Sequence, residues 1–179
     1  MNPCIDILLV EDDPADVHLA LAVFRSLQML ERCAVVNDGA DALDFLHSRG
    51  RFSRREPGLP CLILLDLKMP RVNGFDLLLD IKRDVRLQQI PVVALTSSRE
   101  EQDVERAYDL GVNAYVVKSI SFADYRATLE ALAKYWRTVN ERPPGFVERS
   151  AITSGSVAKD GRMHSGTVRN PWLWQLCPC

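Results

Sequence analysis

The chain has 179 residues, of which 47% are hydrophobic and 26% charged, and its formal net charge is -2. This length and apolar content predict one domain with a sizeable core, and the small net charge gives no indication of nucleic-acid binding. No stretch approaches the ~20 apolar residues of a membrane span, and the N-terminus lacks a signal-peptide pattern. Because the five cysteines are scattered and odd in number, we expect reduced thiols in a cytoplasmic protein.

Five short runs of aliphatic residues predict β-strands. They lie near residues 5–10, 34–36, 61–66, 91–95 and 113–117. Runs without polar alternation are typical of strands that are buried on both faces, as in a parallel sheet. The sequence therefore predicts a sheet in the interior of the domain.

Apolar residues at helical spacing follow each strand, and turn residues mark the ends of the helices. Pro14 starts the first helix, Asp38 and its neighbours open the second, and Asn73 is expected to cap the third. Hydroxyl groups at residues 96–98 are expected to cap the fourth helix, which Gly111 stops. Five strands alternating with five helices predict an α/β fold, a doubly wound five-stranded parallel sheet with helices on both faces.

The last predicted helix spans residues 121–140 and is longer than is needed to cover one strand of the sheet. At ~1.5 Å per residue it extends over about 30 Å. Its final turns, which carry Tyr135, Trp136 and Val139, are therefore candidates for a projecting interface. An ordinary closing helix is the alternative.

The composition changes after Pro143-Pro144-Gly145, where Ser, Gly, Thr and Arg become frequent without helical or strand periodicity. We assign residues 1–142 to the folded domain and residues 143–179 to a flexible, disordered C-terminal extension. Within this extension, Pro171-Trp172-Leu173-Trp174 is the one apolar cluster, which suits a docking motif or an internal clasp.

Residues whose side chains can bind a metal or take part in a reaction follow four of the predicted strands. The first strand ends on Glu11, Asp12 and Asp13, the third on Asp66, the fourth on Thr96 and the fifth on Lys118. The carboxyl ends of parallel strands share one edge of the sheet, so these side chains should converge. Carboxylates without His or Cys suit a hard cation, usually Mg²⁺, which leaves room for a phosphate. One aspartate could then act as a nucleophile and form an aspartyl phosphate, helped by the lysine and the hydroxyl.

These motifs resemble the receiver domains of two-component response regulators, the CheY-like superfamily. The matching segments are LLVEDD at 8–13, LLDLKMPRVNG at 64–74, VVALTSS at 92–98 and AYVVK at 114–118. The resemblance covers residues 4–140 and implies the flavodoxin-like receiver fold, with strand order 2-1-3-4-5. The implied function is a single-domain response regulator that is phosphorylated by a sensor histidine kinase.

The resemblance also implies a role for each matching residue. Asp66 would be the phosphoacceptor, and Lys118 would bind the phosphoryl group. Mg²⁺ would be held by Asp12, by Asp66, by the backbone carbonyl of Lys68 and, through water, by Glu11. Thr96 and Tyr115 would form the switch pair, whereas Asp13 and Ser98 are secondary candidates.

The residue after Lys118 departs from the family pattern. Receivers usually carry a cis proline there, whereas this chain has Ser119. A cis bond before a non-proline residue costs about 2.5–4 kcal/mol, so a trans or a strained peptide is expected. This turn, the RGRFSRREPGLP loop at 49–60 and the long last helix are similar to receiver-only regulators that partner bacterial phytochromes. The loop arginines Arg49, Arg51, Arg54 and Arg55 are expected to be solvated rather than to form a kinase-docking patch.

Several outputs fit this sequence. The leading hypothesis is a switch, not a turnover enzyme, whose phosphorylation controls binding to another protein or homodimerisation through the fourth helix, fifth strand and fifth helix. A monomeric phosphorelay intermediate or phosphate sink, which passes phosphate to a phosphotransfer protein, is the alternative. An aspartate-nucleophile phosphatase is more remote, because Lys68 stands where such enzymes carry a second Asp. The 34 residues after Gly145 are too few for a DNA-binding output domain.

Overall fold

A computed structural model describes residues 6–55, 58–69 and 72–141. Five strands and five α-helices alternate along the described chain, as the sequence predicts. The strands are β1 (Ile7–Val10), β2 (Cys33–Val36), β3 (Leu62–Leu65), β4 (Val92–Thr96) and β5 (Ala114–Val117). The helices are α1 (Pro14–Ser26), α2 (Gly39–Leu46), α3 (Gly74–Arg83), α4 (Glu101–Asp109) and α5 (Phe122–Thr138). The predicted extension at 143–179 lies outside the described residues.

The five strands form one parallel sheet in the order β2-β1-β3-β4-β5, which confirms the predicted fold. Val10 at the end of β1 is the register partner of Leu65 at the end of β3. Because both strands stop at the same level, Glu11 and Asp66 leave the sheet side by side. The sheet register therefore brings together residues that are far apart in the sequence.

Helices cover both faces of the sheet, and alternate strand residues point into two separate core layers. Leu8 and Val10 pack in the layer under α2, α3 and α4, whereas Ile7 and Leu9 pack in the layer under α1 and α5. This explains the continuous aliphatic runs, since both faces of each central strand are buried.

Side-chain caps begin α1, α2 and α3. Asp38 and Asn73 cap α2 and α3 as predicted, and Asp13 caps α1 by accepting a hydrogen bond from the backbone amide of Ala15. The prediction that residues 96–98 cap α4 is wrong, because the N-cap of that helix is Glu100 and makes no side-chain cap hydrogen bond. Thr96 still belongs to β4, and the Ser98 hydroxyl reaches only the amide of Glu100, the N-cap residue itself, at 3.4 Å.

The last helix, Phe122–Thr138, is slightly shorter than the predicted 121–140. Tyr135 and Val139 are exposed, by 49% and 61% respectively, as expected if the last turns project from the core, and their role in an interface stays a prediction. Trp136 differs from this expectation: it is half-buried and packs against the core layer beneath α1 and α5 instead of projecting into solvent. The buried residues of the helix follow one stripe of its surface: Tyr125, Leu129 and Ala133.

The arginine-rich loop is partly structural. Arg55 is buried, its guanidinium carbon lies 4.1 Å from the centre of the Phe45 ring, and it donates hydrogen bonds to the carbonyl oxygens of Phe45 and Gly58. The prediction of a solvated arginine is therefore wrong for Arg55. Its planar guanidinium can stack on an aromatic ring and satisfy backbone acceptors together. Arg49 and Arg51 are exposed and pair with acidic residues of α2.

Candidate functional site

Three predicted carboxylates meet at the carboxyl edge of the sheet. Glu11 and Asp66 are buried, and Asp12 is half-buried. Each offers one oxygen within 4.8 Å of the others. Backbone hydrogen bonds fix the two buried residues, because the amide of Glu11 donates to Val36 and that of Asp66 donates to Val10. The cluster is thus a rigid continuation of β1 and β3.

Lys118 supplies the positive charge of this cluster. Its ammonium donates to Glu11 Oε2, Asp16 Oδ2 and Asp66 Oδ2, each at 2.7 Å. The lysine directly follows β5, and its backbone amide donates to the carbonyl oxygen of Thr96 at 2.8 Å. The side chains at the strand ends therefore converge on Asp66 as predicted, and Lys118 is one of them. Its side chain extends from the end of β5 past β4 to Asp66 after β3 and to Glu11 after β1.

The charges in the cluster perturb one another. Burial lowers the pKa of Lys118, but Glu11, Asp16 and Asp66 more than offset this effect and hold the pKa above its usual range. Burial raises the pKa of Glu11 from 4.5 to about 7, against the opposing effect of Lys118. Burial also raises the pKa of Asp12, and the nearby charge of Asp66 adds to this shift. Four carboxyl groups, those of Glu11, Asp12, Asp16 and Asp66, thus surround a single ammonium group at this edge of the sheet.

The donor set fits a hard divalent cation. Glu11, Asp12 and Asp66 offer only oxygen atoms, which Mg²⁺ and Mn²⁺ prefer, and the surplus of carboxyl over ammonium groups favours a cation over a neutral ligand. The backbone amide of Lys68 donates to Asp66 Oδ1 at 2.9 Å, so the main chain that carries the predicted carbonyl ligand lies next to the Asp66 carboxylate. Asp13 stands apart from this set as the cap of α1.

The predicted switch residues lie on β4 and β5 and are both hydrogen-bonded to Ser98 in the loop after β4. Thr96 is fully buried, and its hydroxyl oxygen accepts a hydrogen bond from the amide of Ser98 at 3.3 Å. The hydroxyl of Tyr115 donates to the carbonyl oxygen of the same Ser98 at 3.2 Å. Thr96 and Tyr115 are therefore linked through Ser98, the third residue expected from the sequence.

Two further acidic residues, Asp16 and Asp103, belong to the site although no sequence motif indicates them. Asp16 contacts Lys118, and Asp103 accepts hydrogen bonds from both Lys68 and Ser98 on one carboxylate oxygen. The contact with Lys68 lowers the pKa of Asp103 and raises that of Lys68. Both acids lie in the first turn of a helix, where a favourable interaction with the helix dipole already explains an acidic residue. The sequence therefore held no distinct signal for either one.

Gly74 has a further role that the sequence motif did not explain. A Cβ atom built at this position would lie 2.3 Å from the carbonyl oxygen of Asp66 and 2.6 Å from Leu67 Cα. The start of α3 therefore packs directly on the backbone of Asp66 and Leu67, where only glycine fits.

The peptide between Lys118 and Ser119 is trans, since the described residues contain no cis peptide bond. Ser119 instead accepts a hydrogen bond from the amide of Ser121 on its hydroxyl oxygen at 3.1 Å. The departure from the family pattern leaves the lysine contacts intact.

Comparison with known proteins agrees with this geometry. A family model described as the response regulator receiver domain matches residues 7–130. The chain belongs to this family, whose members are the phosphorylated components of two-component systems. It is 42% identical over 139 residues to the probable methanogenesis regulatory protein FilR2 of Methanothrix harundinacea, covering 76% of this chain and 86% of that protein. It is 37% identical to response regulator Rcp1 of Synechocystis sp., covering 75% of this chain and 90% of that protein.

Solved receiver structures are also similar. The phosphorylated cyanobacterial phytochrome response regulator RcpA superposes with a TM-score of 0.72 at 33% identity, over 79% of this chain and 99% of that chain. The Mn²⁺-bound form of Rcp1 gives a TM-score of 0.71 at 35% identity, and the match covers 79% of this chain and 99% of that chain. The bacteriophytochrome response regulator RtBRR gives a TM-score of 0.63 at 48% identity, and the match covers 80% of this chain and 86% of that chain. Phytochrome-associated receivers are therefore among the relatives of this protein.

Among the residues that the structure describes, none of the helices has both the length and the apolar character required to cross a membrane.

Proposed function

We propose that this protein is a single-domain response regulator that accepts a phosphoryl group on Asp66 from a phosphohistidine of a sensor histidine kinase. The observation that carries the proposal is the Lys118 ammonium, which lies 2.7 Å from Asp66 Oδ2 and equally close to Glu11. A phosphoryl group brings negative charge to a carboxylate that is already negative. A fixed neighbouring cation offsets that repulsion, and this is the main requirement of phosphoryl transfer.

In the transfer, an Asp66 carboxylate oxygen forms a bond to phosphorus while the bond from phosphorus to the histidine nitrogen breaks. The nitrogen keeps the electron pair of that bond and takes a proton from solvent. Lys118 is placed to neutralise the incoming phosphoryl oxygens. Asp12 and Asp66, the Lys68 carbonyl and, through water, Glu11 would hold Mg²⁺, which supplies further positive charge when bound.

The signal is proposed to pass through the loop after β4. The Thr96 hydroxyl would turn toward a phosphoryl oxygen and thereby disturb its contact with the Ser98 amide. Because Tyr115 is bonded to the carbonyl of Ser98 at 3.2 Å, movement of Ser98 would release the tyrosine and let its ring turn inward. Phosphorylation would thus change the surface formed by α4, β5 and α5.

We assign homodimerisation through this surface as the output. The strand β5 lies at the edge of the sheet, and all four of its residues are partly exposed. Most of the large apolar side chains that are exposed in the described residues lie on α4, on α5 or next to them: Tyr108, Ile120, Phe122, Tyr135 and Val139. Exposed apolar groups of this kind favour a protein contact.

A bacterial phytochrome is the proposed kinase partner. The support is the similarity to RcpA and RtBRR, which are described as phytochrome and bacteriophytochrome response regulators. The chain is also similar to FilR2, which is described as a probable methanogenesis regulatory protein and not as a phytochrome partner. The proposed partner is therefore tested by comparing phosphoryl transfer from a phytochrome kinase with transfer from an unrelated histidine kinase.

The proposal is tested by incubating the full chain with labelled acetyl phosphate and Mg²⁺, and counting incorporated phosphoryl groups. Wild type and Asp80→Asn, a matched change at an exposed site on α3, should each incorporate one group. Asp66→Asn or removal of Mg²⁺ should abolish incorporation. Repeated turnover of a generic phosphate ester would instead indicate a phosphatase, and would contradict the proposal.

Light scattering with Mg²⁺ and beryllofluoride, a phosphoryl mimic, tests the output. A rise in molar mass from monomer to dimer that requires Asp66 supports dimerisation. A protein that binds beryllofluoride and stays monomeric would support the phosphorelay alternative.

A further inference from the structure

Asp103 joins the two residues that flank the acceptor and the switch hydroxyl. Its Oδ2 atom lies 2.6 Å from the ammonium of Lys68, two residues after Asp66, and 2.6 Å from the hydroxyl of Ser98, two residues after Thr96. The Asp103 side chain is only 14% exposed, so these contacts are partly shielded from water. One carboxylate oxygen therefore connects the acceptor loop, the switch loop and α4.

The backbone and the side chain of Lys68 point to different partners. The backbone amide donates to Asp66 Oδ1 at 2.9 Å, which fixes this residue next to the acceptor. The ammonium is turned away to Asp103 on α4. The backbone of Lys68 thus lies beside the acceptor, while the contact with Asp103 keeps its ammonium away from the Asp66 carboxylate.

The helix that carries Asp103 has few other ties to the domain. Ala107 is the single buried residue of α4, and no side chain caps its N-terminus. Arg106 adds a contact to α3, with its guanidinium carbon 4.3 Å from the centre of the Phe75 ring. The start of α4 is therefore joined to the phosphorylation site through the two 2.6 Å contacts of Asp103 and through the Glu100 amide, which donates to the Ser98 hydroxyl at 3.4 Å.

We propose that Asp103 is a positioning residue that sets the lifetime of the phosphoryl group on Asp66; this inference rests on the proposed function. In hydrolysis, a water oxygen forms a bond to phosphorus, and the bond from phosphorus to the Asp66 oxygen breaks. The products are inorganic phosphate, which takes up the remaining atoms of water, and the free carboxylate. By holding the Lys68 ammonium away, Asp103 leaves the path of that water open.

Loss of the Asp103 carboxylate has a defined consequence. The Lys68 ammonium becomes able to bind the phosphoryl oxygens, because its backbone is already fixed beside Asp66. A bound ammonium blocks the approach of water, so hydrolysis should slow down.

The test measures release of inorganic phosphate from the full chain after labelling with acetyl phosphate and removal of the donor. Asp103→Asn should slow release by at least about threefold, the size expected for coupled neighbours. In a Lys68→Ala background, Asp103→Asn should cause no further slowing, because the ammonium that would block the water is absent. Asp109→Asn, the same change at an exposed position on the same helix, is the control, and Asp103→Ser is a second variant that helix N-termini accept.

Circular dichroism confirms that each variant is folded before its rate is compared. An unchanged release rate in both Asp103 variants, or slowing that persists without Lys68, would overturn the inference while leaving the proposed function intact. If the wild type takes up no phosphoryl group at all, the proposed function fails, and the inference fails with it.

Discussion

The ammonium of Lys118 lies 2.7 Å from Asp16 Oδ2, a contact that ties the end of β5 to the first turn of α1. The Asp16 side chain is 31% exposed, whereas the other two carboxylates bound to this lysine are almost inaccessible. Asp16 therefore holds the ammonium from the solvent side and fixes its direction toward Asp66. This residue gives the lysine a third anchor beyond the two expected at the strand ends.

Replacement of Asp16 by asparagine should slow phosphorylation moderately. Partly exposed ion pairs contribute up to about 1 kcal/mol, so we expect a decrease in rate of roughly two- to fivefold in Asp16→Asn. Initial rates with acetyl phosphate measure this effect, with Asp80→Asn as the control. A rate equal to that of wild type would show that Glu11 and Asp66 alone position the lysine.

Replacement of Lys118 by methionine should destabilise the protein in the absence of metal. The change leaves Glu11 and Asp66 buried without their cation, and removing one partner of such a group costs about 3–5 kcal/mol. Urea unfolding in a chelating buffer measures the loss, with the exposed Lys134→Met as the control. Added Mg²⁺ should stabilise Lys118→Met more than wild type. Equal stabilisation of the two proteins would contradict the assigned metal site.

The raised pKa of Glu11 predicts a pH-dependent stability. Burial raises this pKa from 4.5 to about 7. Between these two pH values, Glu11 therefore keeps its proton in the folded chain but has released it in the unfolded chain. The free energy of unfolding without metal should therefore fall as the pH rises through this window. Urea unfolding at several pH values measures the slope, which should be smaller in Glu11→Gln. Identical slopes would assign the effect to other groups.

Replacement of Gly74 by alanine should destabilise the backbone that follows β3. The new Cβ would clash with backbone atoms of Asp66 and Leu67, which cannot move as freely as side chains. Overpacking of this kind costs about 1–3 kcal/mol or more. The control is Gly58→Ala, where an added Cβ meets no atom within 4 Å. Urea unfolding should separate the two variants, and equal midpoints would contradict the close packing of α3 on the backbone of Asp66 and Leu67.

The fold could be predicted from sequence because the signals for it are local. The aliphatic runs ending on Val10 and Leu65 indicate strands buried on both faces, and parallel strands must deliver their following residues to one edge. The meeting of Glu11, Asp66 and Lys118 follows from that rule. The geometry within the sheet does not depend on details of side-chain packing.

The residues that the sequence did not predict depend on how helices and loops pack on the sheet. The contacts of Asp16 and Asp103 require the position of a helix relative to a distant loop, which no local pattern encodes. Arg55 is buried because Phe45 and backbone carbonyls happen to surround it. Trp136 lies within a helix whose pattern allowed either projection or packing, and packing against the core prevailed.

Identification of the phosphorylated residue tests the central claim most directly. Borohydride reduces an aspartyl phosphate to homoserine, and tandem mass spectrometry of the digested protein then locates the modified position. With acetyl phosphate and Mg²⁺, we expect homoserine at position 66 alone, and none when Mg²⁺ is withheld. Homoserine at position 12 or 13, or the absence of any modification, would contradict the assignment of Asp66 as the phosphoacceptor.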